Sequence, residues 1–277
     1  MTSVQLTNDE IIALLHNRSR GAQDRYYDKL NYENLPYYDE LIETKSIELN
    51  SSYIFPNSDT DASLANKGIA NIRVEGDYEY VSLDIGGQSI DRLYKVFHDN
   101  QMVNFKREKC CIPFLRDHNI EIICKNGTAT ITYDLVSISN GDKKYDYVYY
   151  SHSYCGPEVI STRTRSISLC FNNMVKKLIV TCENPIASIS LIPYPDDETD
   201  ETDETDAPDA PVLDLDFTKI NENLWELDFG NTHVNFSRID NAKLYVSSLT
   251  PTTIYPTALS ICMGISMVGK YGMLFTK

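Results

Sequence analysis

Residues 120–133 read Ile-Glu-Ile-Ile-Cys-Lys-Asn-Gly-Thr-Ala-Thr-Ile-Thr-Tyr. Ile120, Ile122 and Cys124 occupy every second position, and after Lys125-Asn126-Gly127 the rhythm returns at Ala129, Ile131 and Tyr133. A period of two places each set on one face of an extended chain, and Asn-Gly between them is turn chemistry. The alternation recurs outward in both directions. Upstream it runs through Val81, Leu83 and Ile85. Downstream it runs through Tyr147 with Tyr149, then Ile167, Leu169 and Phe171, Leu178 with Val180, Ile189 with Leu191, Leu213, Leu215 and Phe217, and Leu244 with Val246. About fourteen to sixteen short strands, joined by turn signals at ~8–12-residue spacing, predict an all-β antiparallel sandwich or barrel beyond residue 45.

The N-terminal segment has a different period. Thr7 with Glu10 makes a capping box, and Ile11, Ile12, Leu14 and Leu15 form an apolar stripe ahead of Gly21, so a short helix is predicted there. Residues 22–44 are polar and tyrosine-rich, with Pro36, and read as an irregular arm. The polar stretch at Ser139–Lys144 divides the β region, giving 45–139 and 140–277 as two compact bodies behind a 1–44 helix and arm; one enlarged sandwich is the alternative. Within the second body, residues 196–209 hold nine acids and no base, and 196–211 reads as a solvated loop.

Length and composition bound the function. The chain has 277 residues, 42% hydrophobic and 23% charged, which is globular rather than disordered or fibrous. The net charge is −15, and without the nine acids of 196–209 it is −6, so direct nucleic-acid binding by phosphate neutralisation is not expected. No apolar run reaches the ~18 residues of a membrane helix. The start, Met-Thr-Ser-Val-Gln, carries no basic residue ahead of an apolar stretch, so all seven cysteines are expected as free thiols in a reducing compartment.

Catalytic signatures do not emerge. There is no Gly-x-Ser-x-Gly, His-Glu-x-x-His, P-loop or Gly-x-Gly-x-x-Gly, and no cofactor or enzymatic activity is expected. Gly86-Gly87 follows a strand and precedes Gln88 rather than Lys-Ser, so it reads as a β-turn, not a phosphate cradle. None of the five histidines stands at i, i+3 or i+4 from another, so no metal site is expected from spacing. Arg238 and Asp240 flank Ile239 and, on a strand, would share a face. Nineteen tyrosines against nine phenylalanines suit either contact surfaces or sheet propensity.

Five stretches, in order, resemble the double jelly-roll major capsid proteins of nucleocytoplasmic large DNA viruses. They are Gly21-Ala22-Gln23-Asp24, similar to the family's N-terminal arm element, and Val81–Tyr94 with its Ile85-Gly86-Gly87-Gln88-x-Ile90-Asp91 core. The third is Phe171–Leu178, in which Asn172, Val175, Lys176 and Leu178 carry the likeness. The fourth is Asn235-Phe236-Ser237-Arg238-Ile239-Asp240-Asn241, and the last is the close from Tyr255 to Phe275. Together they span some 60 residues. The resemblance implies two jelly rolls and a reduced-length, major-capsid-like or minor capsid component. It also implies a homotrimer in an icosahedral shell with other capsid proteins as partners, made and assembled in the host cytoplasm. Contact with an internal viral membrane is left open by the sequence. A β-sandwich that binds a receptor or carbohydrate on the particle surface is the alternative function.

Overall fold

The computed structural model describes residues 6–30, 32–57, 60–96, 100–114, 118–139, 145–161, 163–193, 214–239, 241–267 and 270–273. The chain forms two compact units, each with its own apolar core. The first comprises residues 25–153 and 260–277, the second residues 1–24 and 154–259. The cuts therefore fall at 24/25, 153/154 and 259/260, whereas the sequence reading placed them at 44/45 and 139/140. The acidic stretch 196–209, Asp240 and residues 140–144 of the polar break lie outside the described residues.

In the first unit, β1 (Glu40–Leu49), β2 (Ser52–Phe55), β3 (Lys67–Asp77), β4 (Tyr80–Ile85) and β5 (Gln88–Tyr94) are followed by three two-residue strands. These are β6 (Gln101–Met102), β7 (Asn104–Phe105) and β8 (Ile112–Pro113). Then come β9 (Ile120–Lys125), β10 (Thr128–Ser137) and β11 (Tyr145–Tyr154). One antiparallel sheet has the order β1-β10-β3-β6 and another β2-β9-β4-β5. The 120–133 stretch that fixes the fold class does not close a simple hairpin. Its two strands belong to different sheets, with Asn126 (φ 51°) and Gly127 (φ 155°) turning the corner. Both period-two faces, Ile120, Ile122 and Cys124 on one side and Ala129, Ile131 and Tyr133 on the other, enter one shared core. Side chains from two sheets meeting in one dry layer are the hallmark of a sandwich.

In the second unit, β12 (Glu158–Ile160), β13 (Arg163–Ser168), β14 (Met174–Cys182) and β15 (Ser188–Ile192) precede β16 (Leu215–Asp216), β17 (Thr218–Asn221), β18 (Leu224–Asp228) and β19 (Val234–Asn235). Then follow β20 (Lys243–Ser248), β21 (Thr252–Met267) and β22 (Lys270–Met273). One sheet runs β13-β20-β15-β16; a second includes β17-β18-β14-β21, where β21 gives its residues through Leu259 to this unit and the rest to the first. Helix α1 (Asn8–Ser19) has the predicted capping box of Thr7 and Glu10, and it buries Ile11, Ile12 and Leu15 in this unit's core. The following residues are not an irregular arm throughout: Ala22–Tyr27 is a second short helix, α2, and β1 already begins at Glu40. Residues 40–44 look polar enough to belong to an arm because the strand lies at a sheet edge and is exposed along most of its length.

Candidate functional site

Three of the five family-like stretches converge in the second unit, although 21–24 and 235–241 are more than 200 residues apart in sequence. Asp24, on α2, is buried and its carboxylate is gripped from several sides. Oδ2 accepts the Gly21 backbone N–H at 2.8 Å and the Asn235 side-chain amide at 2.9 Å. Oδ1 lies 2.7 Å from His233 Nε2. Burial pushes the Asp24 carboxyl up, but the bonds from Asn235, Gly21 and His233 outweigh it and hold the group below the usual carboxylate range.

Asn235 also fixes the local chain path. Its backbone N–H donates to Ser19 Oγ at 3.0 Å, and its side chain caps the 3₁₀ turn Phe236–Arg238 by accepting the Ser237 N–H. Arg238 therefore lies in a capped turn and not on a strand, while Asp240 is outside the described residues. A short polar residue ahead of that turn satisfies a backbone donor that a strand would have spent on its neighbour. Arg238 is exposed, and its aliphatic stem runs 3.5 Å from where a side chain on Gly21 would begin. Phe236 turns inward, its ring 6.2 Å from Phe171 and 6.3 Å from Phe229. Ile239 is buried as well, whereas Ser237 and Asn241 are exposed.

The 171–178 stretch supplies the neighbouring strand. Met174 and Val175 pair with Asn235 and Val234, and the Phe236 N–H donates to the Asn173 carbonyl at 3.0 Å. Val175 and Leu178 enter the core, while Asn172 is exposed. Lys176 reaches across to Asp228 Oδ1 at 2.7 Å and to the Gly230 carbonyl, pinning β14 to the end of β18. Ala22 is exposed, and Gln23 keeps its side-chain oxygen buried with no hydrogen-bond partner.

Of the other two, the closing stretch from Tyr255 is divided between the units at 259/260, and the 81–94 stretch serves the first unit in a similar way. Ile85 and Ile90 are core residues, and Gly86 and Gly87 form the two-residue turn between β4 and β5, both with positive φ (58° and 79°). Gln88 pairs with Ile85 at the strand start and is exposed. Asp91 is buried. Its Oδ1 accepts the backbone N–H of His152 at 2.8 Å and of Arg92 at 2.9 Å, and its Oδ2 accepts that of Val103 at 2.9 Å. Val103 is β-branched yet sits at φ 49°, a costly backbone that this carboxylate holds in place. His152 Nδ1 lies 3.3 Å from the same carboxylate, so each unit contains a buried Asp–His pair. The family resemblance singled out both aspartates but neither histidine, because His152 lies 61 residues from its partner and His233 lies 209 from its own.

No protein-family model matches the sequence, and no curated protein matches it. Solved structures do. A quasi-atomic model of the PBCV-1 virus capsid superposes with a TM-score of 0.54 at 12% identity, covering 87% of this chain and 98% of that one. PBCV-1 VP54, fitted into a reconstruction of the virophage Sputnik, gives 0.54 at 13% identity with the same coverage. The fold is the double jelly roll of viral capsid proteins. With two cores and two pairs of sheets, the single enlarged sandwich is set aside.

Proposed function

We propose that this chain is a structural protein of a virion, a capsid component that works through its surfaces and not through catalysis. The observation that carries the reading is the likeness of fold to the PBCV-1 capsid over 87% of the chain. The motif positions then act as scaffold: Asp24, Asp91 and Asn235 hold backbone turns, and Gly86-Gly87 reverses the chain. Assembly partners are copies of the same chain and other capsid proteins, in particles built in the host cytoplasm. Three copies of a two-barrel chain present six similar barrels, which suits a hexagonal lattice, so the proposed building block is a homotrimer.

Exposed edges support a contact role. Strand β1 lies at a sheet edge, pairs with β10, and exposes Leu41 and Ile42; Val159 and Leu249 are exposed elsewhere. Apolar side chains beside an open edge are what a protein partner covers. A carbohydrate-binding reading gains less: a groove of about 490 Å³ lined by Glu48, Leu49, Asn50, Gly76 and Thr128–Thr130 offers one carboxylate and no aromatic ring for a sugar to stack on. Light scattering on the purified chain tests the proposal. A species of three times 31.5 kDa is expected, and a monomer that binds glycans would overturn it.

A further inference from the structure

We propose that His16, Asp24 and His233 form a site for a divalent transition metal, with zinc the best match, that ties helix α1 to the second jelly roll. One ligand atom from each of the three lies within 4.8 Å of the others. The histidine rings meet edge to face with centroids 5.0 Å apart. A tetrahedral zinc ion with bonds of ~2.0–2.1 Å keeps its ligands about 3.3 Å apart. The His233 Nε2 to Asp24 Oδ1 edge, at 2.7 Å, is thus close to binding geometry already, and the partly exposed His16 stands beside it as the third ligand.

The surroundings are those of a metal site. Two imidazoles and one carboxylate form a three-ligand zinc set, with the fourth position left for water, whereas calcium and magnesium demand oxygen donors. Ligands of this kind are normally anchored through their second polar atom. His16 Nδ1 donates to the His233 carbonyl at 2.7 Å, which fixes the tautomer and leaves Nε2 with a lone pair. Asp24 is anchored through Oδ2 by Gly21 and Asn235, leaving Oδ1 to the ion. The incoming ion takes the place of the proton between His233 and Asp24. That proton moves to Nδ1 when the ring is neutral and to solvent when it is charged.

The test uses the full chain without an affinity tag, stripped by chelator and titrated calorimetrically with zinc sulfate. One zinc per chain is expected, together with a rise in melting temperature. His16→Asn places an amide donor where Nδ1 stood but has nothing at the position of Nε2, so its metal-free melting temperature should change little while affinity falls at least ~100-fold. Cobalt(II) in the wild-type chain gives a reading that needs no variant. A tetrahedral visible band without thiolate charge transfer supports the site. Thiolate charge transfer, no zinc uptake, or unchanged affinity in His16→Asn would overturn it, the ion then lying on the cysteines or the acidic stretch or not binding at all.

Discussion

Gly86 and Gly87 sit side by side in one turn yet differ in what a side chain would meet. Both have positive φ, where a Cβ costs about 1 kcal/mol. At Gly87 the space is open, but at Gly86 a Cβ would fall 2.0 Å from the His118 ring. Gly87→Ala should therefore lower the melting temperature by about 2–4 °C, and Gly86→Ala by clearly more; equal losses would show that His118 yields freely. The thiols allow a second prediction. Cys155 and Cys170 lie with sulfurs 2.7 Å apart, but burial pushes the Cys155 thiol up, and a protonated thiol is a poor nucleophile. Alkylation under denaturing, non-reducing conditions should label all seven cysteines, and labelling of five would mean that this pair has joined. At this scale the sequence was a partial guide. Glycine turns could be read from neighbours in the chain and the motif aspartates only through the family resemblance, whereas His16, His152 and His233 gain their meaning from partners 61 to 217 residues away.

Helix α1 belongs to the core of the second unit, with Leu15 fully buried among its residues. Leu15→Ala should cost ~2–5 kcal/mol by denaturant unfolding, a loss that an arm merely draped on the surface would not show. The join between β14 and β18 has a pH signature. Burial raises the Asp228 carboxyl, but Lys176, the Gly230 N–H and Lys177 lower it further, so its folded value lies below the unfolded ~4. The contribution is complete above about pH 4 and is lost as pH falls through the folded value. Because Asp228 is 48% exposed, the effect is small and screened. A modest melting-temperature gap between wild type and Asp228→Asn at pH 7 should shrink as pH falls below about 4; a gap that persists undiminished in acid would show that charge is not its source. Elements were legible where burial imposed a period. Val81–Ile85, Ile120–Cys124 and Leu244–Val246 stand where alternation predicted strands, whereas the exposed first half of β1, residues 40–44, has no apolar rhythm to betray it. The turn at Phe236–Arg238 was hidden for another reason: its cap, Asn235, is positioned by Ser19 and Asp24 from the far end of the chain.

The molecule as a whole carries two jelly-roll cores, and the polar break at 139–144 hinted at that number without locating the seam. Residues Tyr145–Ser153 go with the first unit because β11 pairs with β7, and residues 260–277 return to it after the chain has built the second. Such returns are a matter of topology, which no local period encodes. The proposed capsid role requires that this double jelly roll be built into a virus particle. Quantitative mass spectrometry of gradient-purified particles from cells producing the chain tests it most directly. The chain is expected to copurify with the particles in fixed stoichiometry to the other shell proteins; a chain abundant in the cell lysate but absent from purified particles would contradict the capsid role.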